Sequence, residues 1–188
     1  RMNPKKHQIQ YKAYLHQKDH MSSMKILLYG GNGWIGKQFS EILTRMRIEF
    51  VMGVSRADDS DAVSKEINQL KPTHVVSMIG RTHGKIGTKT YSTIDYLEQK
   101  GKLVENVRDN LFSPVTLAII CERVGIHFTY LGTGCIFSYD DDHPWGKEKN
   151  GFSEHDDPNF FGSGHSVVKG FTDRLMKFFC ENTLNLRI

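Results

Sequence analysis

Two side chains able to exchange protons, His165 and Lys169, stand four residues apart in GSGHSVVKG (162–170). On a helix this spacing places an imidazole and an ammonium on one face. The neighbouring cation disfavours the protonated imidazole, so the ring is expected neutral and a poor acid. Far upstream, YGGNGWIGK (29–37) sets Gly30, Gly33 and Gly36 in a G-x-x-G-x-x-G spacing. The first two glycines allow a tight turn and close approach to a pyrophosphate, and the third allows a helix to pack against a sheet. The first helical N–H groups, from Trp34 and Ile35 onward, would face the phosphates.

Those residues need strands and helices to hold them. MKILLYG (24–30) is a short apolar run ended by glycine, a buried strand. WIGKQFSEILTRM (34–46) follows with apolar positions at a helical period. RIEFVMGVSR (47–56) and THVVSMIG (73–80) read as strands, with an amphipathic helix between them over 59–71 that Pro72 ends. After a polar loop rich in glycine and lysine, residues 103–125 are helical. Pro114 is expected to kink that helix or restart it with Ser113 as cap. IHFTYLGTG (126–134) is a fourth strand, a long polar loop runs to about 161, 163–181 is helical, and TLNLRI (183–188) is a fifth strand. This alternation predicts an α/β, doubly wound parallel sheet covered by helices on both faces. The glycine spacing thus falls after a strand and opens a helix, the context that supports a dinucleotide-binding turn.

At the end of the second strand an NAD site places Asp or Glu on the ribose hydroxyls. This chain has VSRADDS, with Ser55 and Arg56 there and Asp58 and Asp59 as acidic alternatives. A planar guanidinium suits a 2′-phosphate, so NADP (NADPH) is favoured over NAD.

Composition narrows the class. With 38% hydrophobic and 24% charged residues the chain reads as soluble and globular, and cytoplasmic. No apolar run approaches the roughly 20 residues of a membrane span, and the N-terminus lacks the apolar stretch of a secretory signal. Cys121, Cys135 and Cys180 form no CxxC pair and read as reduced thiols, with no metal site among them. The formal charge of +4 lies wholly in residues 1–23, where five Lys/Arg face Asp19 alone. That segment reads as a basic, disordered extension, and the neutral remainder offers no nucleic-acid face. Residues 24–188 form the expected nucleotide-binding domain. Arg1 is an unnatural start and Ile188 closes directly on a strand, so the chain is expected to be part of something longer, its C-terminal substrate-binding part missing.

Through YLGTGCIFSYDDDHP (130–144), ENVRDNLFSPVTLA (105–118) and GFSEHDDPNFFGSGHSVVKGFTDRL (151–175), the sequence resembles the extended short-chain dehydrogenase/reductases of Rossmann fold. Within them it is most similar to the bifunctional 3,5-epimerase/4-reductases acting on UDP-4-keto-6-deoxyglucose, relatives of dTDP-4-dehydrorhamnose reductase and GDP-fucose synthase. The resemblance implies a nucleotide-sugar substrate carried to L-rhamnose with NADPH, and it is compatible with a homodimer. It makes Thr133 the hydroxyl on the substrate carbonyl, Cys135 an acid/base for epimerisation and Lys169 the holder of the nicotinamide ribose. Asn110 would support the proton relay, and Gly80 would pass the cofactor. Read without the resemblance, Cys135 is a small buried residue at a strand end.

The family pattern is Tyr-x-x-x-Lys, and here it is His165-x-x-x-Lys169. A phenol beside an ammonium is brought toward use near neutrality, whereas an imidazole is pushed the other way. The reductase step is therefore expected to be impaired while cofactor binding and epimerisation survive. His155 could stand in, but its polar loop reads as solvated. YDDDHP (139–144) reads as a solvated loop, since consecutive side chains cannot converge on one ion, and Trp145, Phe160 and Phe161 as loop closure over the core. The alternative reading is a non-catalytic, dinucleotide-binding regulatory subunit of the same fold.

Overall fold

A computed structural model describes residues 23–146, 150–179 and 181–188. The basic segment 1–22 and Cys180 lie outside the described residues. Five strands form one parallel sheet in the order β2-β1-β3-β6-β7: β1 Lys25–Tyr29, β2 Glu49–Met52, β3 His74–Ser77, β6 His127–Leu131 and β7 Thr183–Leu186. Register runs Leu27↔Val51, Leu27↔Val75, Val75↔Phe128 and Phe128↔Thr183. Strand order reverses at β1, and in such sheets the ligand crevice opens at the carboxyl ends of β1 and β3.

Alternation along β1 explains the double cover. Ile26 and Leu28 face one cluster with Leu43 and Val76, while Leu27 and Tyr29 face another with Val63, Leu117, Phe128 and Met176. The first is closed by α1 (Trp34–Met46), the second by α2 (Ser60–Leu70), α4 (Ser113–Val124) and α5 (Gly164–Met176). Strands buried on both faces read as continuous apolar runs, which is why MKILLYG was legible as one. Asp59 caps α2 through Ala62 N at 3.0 Å, and Gly125 ends α4 at φ 68°.

Two sequence expectations need correction. The polar loop after β3 contains an antiparallel hairpin, β4 (Gly84–Ile86) and β5 (Lys89–Tyr91), turning through Gly87 at φ 57°. Its six residues include Lys85 and Lys89 and bury little, so they carry no apolar alternation. Pro114, in turn, does not restart the helix with Ser113 as cap. Instead α3 (Leu103–Val107) passes through a π-turn, Arg108–Phe112, directly into α4. Pro114 has no N–H for the carbonyl of Asn110 four residues back. Thr172 Oγ1 on α5 donates to that carbonyl at 2.6 Å, and Ser113 Oγ donates to Arg108 O at 2.8 Å. The irregularity is satisfied from a neighbouring helix, and it presents Asn110 inward, 1% exposed.

β7 is locked to α5 by Arg187, whose Nε and Nη2 donate to Asp173 at 2.9 and 2.7 Å. The 138–160 loop is tied by Asn159, which donates to Ser138 O at 2.9 Å and accepts from Ser138 N at 2.8 Å. Phe152 of the loop stacks on Phe137, just before it, at 4.4 Å.

Candidate dinucleotide-binding and active site

A groove of about 370 Å³ opens at the carboxyl ends of β1, β2 and β3, with Gly30, Gly33, Ser55, Arg56, Gly80 and Arg81 among its lining residues. Gly30 turns at φ 77°, and a Cβ there would lie 2.6 Å from the Met78 carbonyl carbon. A Cβ on Gly36 would run into Gly30 O and lie 2.7 Å from Gly31 Cα, so this glycine sets how closely α1 approaches its own loop. Gly33 differs: its added Cβ would meet only Gly30 O, at 3.4 Å. It is the N-cap of α1 with no side-chain cap bond, and no acidic residue occupies the first turn. The N–H groups of Trp34, Ile35 and Gly36 therefore remain available to an anion, in the field of a 13-residue helix, whose own bonding begins with Lys37 N on Gly33 O at 2.9 Å. Gly80 has nothing within 4 Å of its would-be Cβ, so backbone there is open to the groove.

On the opposite rim, Arg56 Nη2 pairs with Asp58 at 2.9 Å, and the Arg56 side chain is 65% exposed. Ser55 Oγ donates to Ala62 O at 3.2 Å. Arg81 lies across the groove, its Nε on Asp109 at 3.1 Å. Asn110 grips the Arg81 backbone on both sides, accepting from Arg81 N at 3.1 Å and donating to Arg81 O at 3.0 Å. The described Asn110 thus braces the groove wall after β3.

Thr133, Cys135, His165 and Lys169, the candidate proton-transfer residues, lie just beyond the end of β6 and along the first half of α5. Thr133 Oγ1 accepts from Cys135 N at 3.2 Å. Cys135 is exposed, not the buried small residue its strand-end position suggested: pairing with the β7 side runs on to Gly134 N on Ile188 O at 2.6 Å, and Cys135 falls in the turn that Phe137 N closes on Gly134 O at 3.1 Å. Its carbonyl is held by Ser166 Oγ at 2.8 Å, and Ser166 N is capped by Ser163 Oγ at 3.0 Å. His165 and Lys169 share the inner face of α5, 4% and 5% exposed. Burial, and then the Lys169 charge, push His165 down to about 4, with Glu98 opposing. The ring is neutral at neutral pH, and its Nδ1 has no partner among the described residues. Lys169 Nζ donates to Tyr130 OH and, at 3.3 Å, to Leu131 O, and it lies 4.5 Å over the Tyr130 ring. Burial brings the ammonium down to about 8, Asp173 and Cys135 pulling it back up.

Several positioning groups were not legible beforehand. Glu98 accepts from Gly164 N and His165 N, each at 3.0 Å, fixing the start of α5 from 66 residues away. Tyr130 and Glu66 carry no local signal, since their partners, Lys169 and the Val54–Ser55 backbone, lie on other elements. Only the Ser163–Ser166 cap had a local signal, a serine just before a helical period. His155 is exposed on its loop beside Glu154, at 3.7 Å. Trp145 meets Tyr139 edge-on at 4.7 Å, and Phe161 lies 6.4 Å from Phe171. Among the described residues no helix is long and apolar enough to cross a membrane.

A doubly wound parallel sheet with a glycine turn at its switch point and helices on both faces defines a Rossmann-like α/β fold. The chain belongs to the RmlD substrate binding domain family, whose pattern it matches over residues 24–162. Among its relatives is protein L780 of Acanthamoeba polyphaga mimivirus, 57% identical over 165 residues, covering 88% of this chain and 55% of L780. The crystal structure of L780, described as a UDP-rhamnose synthase, superposes with a TM-score of 0.80. The bifunctional dTDP-4-dehydrorhamnose 3,5-epimerase/reductase of Arabidopsis thaliana is 36% identical over 89% of this chain and 52% of that protein. A dTDP-4-dehydrorhamnose reductase from Clostridium acetobutylicum, 21% identical with a TM-score of 0.69 over 87% of this chain and 52% of that one, shares the fold. The chain spans about half the length of L780 and of the bifunctional Arabidopsis protein.

Proposed function

We propose that this chain is the coenzyme-binding part of a nucleotide-sugar epimerase/reductase that makes L-rhamnose from a UDP- or dTDP-linked 4-keto-6-deoxyglucose. The observation that carries the reading is the placement of Thr133, Cys135 and Lys169 about the end of β6, Lys169 Nζ on Leu131 O at 3.3 Å and Cys135 N on Thr133 Oγ1 at 3.2 Å, in a chain 57% identical to the L780 UDP-rhamnose synthase. The glycine turn, with helix N–H groups unclaimed by any cap, fits the diphosphate of a dinucleotide. Arg56 beside Ser55 favours NADPH, which when bound supplies hydride to a ketone. Asn110 keeps the groove wall in place.

The chain's own residues handle position and protons. Thr133 hydrogen-bonds the ketone oxygen. Cys135, exposed with its backbone pinned by Ser166, exchanges the acidified proton on the carbon beside that ketone. Lys169 holds the nicotinamide ribose, for which its Nζ must leave Tyr130. His165 is the weak member. A neutral ring with a pKa of about 4 holds almost no acid proton at pH 7, so epimerisation outpaces reduction. A cytoplasmic setting, with reduced Cys121 and Cys135, belongs to the same reading. So does a homodimer through α3, the π-turn after it and α5, which expose Val104, Phe112 and Phe171 in turn.

Incubating the protein with UDP-4-keto-6-deoxyglucose in D₂O and following solvent deuterium into the sugar by NMR tests this function. Cys135-dependent exchange supports it. No exchange by folded protein that binds NADPH would support the regulatory-subunit alternative instead.

A further inference from the structure

Glu66 lies in the middle of α2 between Val63 and Ile67, only 7% exposed, in a stretch where packing alone calls for an apolar side chain. Its carboxylate accepts three hydrogen bonds: from Tyr29 OH at 2.7 Å, from Val54 N at 2.8 Å and from Ser55 N at 3.2 Å. No cation pairs with it among the described residues. Burial by itself would push the carboxyl up, yet the Val54 N–H, the Tyr29 hydroxyl and Ser55 outweigh it and hold the group ionised.

The three donors come from two places that matter to the groove. Tyr29 is the last residue of β1, immediately before Gly30. Val54 and Ser55 follow the last sheet bond of β2, Gly53 N to Leu28 O at 2.9 Å. Beyond that bond nothing in the sheet can fix the chain, and the turn that presents Ser55 and Arg56 begins. One side chain therefore ties the phosphate-loop strand to that turn. A glutamine in its place has one acceptor oxygen, and its amide would face a backbone N–H.

We infer that Glu66 is a positioning residue for coenzyme selection, holding Ser55 and Arg56 where a 2′-phosphate is read. The inference rests on the dinucleotide reading of the groove. The test is calorimetric titration of wild-type protein, Glu66→Gln and Tyr29→Phe with NADPH, NADH and 2′,5′-ADP. Glu66→Gln is expected to lower the NADPH-over-NADH preference about ten-fold, about 1.4 kcal/mol, with a matching loss for 2′,5′-ADP. Tyr29→Phe, which keeps both backbone bonds, is expected to shift the preference by less than half as much on a logarithmic scale. Should Glu66→Gln fail to fold, Glu66→Asp, with the charge kept and the arm shortened, is expected to reduce the preference several-fold. An unchanged preference in a folded, less stable Glu66 variant would reduce Glu66 to a structural residue and overturn the inference. Wild-type protein that binds neither dinucleotide would instead overturn the proposed function.

Discussion

Two glycines three residues apart should respond oppositely to alanine. At Gly36 the new methyl would meet backbone, Gly31 Cα at 2.7 Å and Gly31 C at 2.9 Å, well inside the 3.4 Å of an ordinary tight contact. The loop cannot simply retreat, because Gly30 is itself packed on the Met78 backbone. Overpacking of this kind costs about 1–3 kcal/mol, or roughly 2–12 °C in Tm for a chain of this size. Gly33 has φ −71° and ψ 171°, which alanine adopts freely, and its methyl meets only Gly30 O at 3.4 Å. Its stability loss should stay within about 1 kcal/mol, the difference between glycine and alanine as N-cap. The methyl, however, enters the groove lining. Losing one charge-assisted N–H bond to a phosphate costs about 1.5–3 kcal/mol, which is about 10- to 150-fold in Kd. Thermal melts and NADPH titrations of Gly33→Ala and Gly36→Ala together make the assay. Gly33→Ala that binds NADPH like wild type, or Gly36→Ala that melts like wild type, would refute the reasoning.

Three further outcomes follow from the same geometry. His165→Tyr restores a phenol beside Lys169 and should raise NADPH oxidation with the 4-keto sugar by about 10²–10⁴-fold, read at 340 nm. Lys169 has a folded-state pKa of about 8 against 10.5. The unfolded chain therefore holds the extra proton between those values, and the Lys169 contribution to stability rises with pH across that window by up to about 3 kcal/mol. Buried Cys121, Tyr29 and Tyr130, whose ionisation the fold opposes, pull stability down over the same range in both proteins, so the urea midpoint of wild type relative to that of Lys169→Met should rise from pH 8 to 10.5. Asp58→Asn frees Arg56 and should tighten NADPH binding about two- to five-fold while sparing NADH, since an exposed pair is worth up to ~1 kcal/mol; equal changes for both coenzymes would remove Asp58 from coenzyme choice.

What the sequence made legible was periodic or local. Doubly buried strands such as Lys25–Tyr29 are unbroken apolar runs, and Gly30, Gly33 and Gly36 have spacing that a turn before a helix explains. The i, i+4 relation of His165 and Lys169 likewise needs only helical geometry. What escaped it depends on contacts between distant segments. Glu98 caps α5 from 66 residues away, and Tyr130 claims Lys169 from the strand beneath. The π-turn at Asn110 is foreshadowed by Pro114, but its resolution needs Thr172, a hydroxyl on another helix. Arg56 reads from the sequence as a guanidinium suited to a 2′-phosphate, but its pairing with Asp58, two residues on, is set by the fold. Polar positions are chosen by partners that periodicity does not encode.

The central claim is that the turn after β1 binds the diphosphate of NADPH. Trp34, first residue of α1 and 80% exposed, stands at that turn, and the chain has only 2 tryptophans. In a Trp145→Phe background, its emission should be quenched by NADPH along a saturable one-site curve, more tightly than by NADH. A folded protein whose Trp34 emission stays flat, with no heat of binding in a parallel calorimetric titration, would contradict the claim.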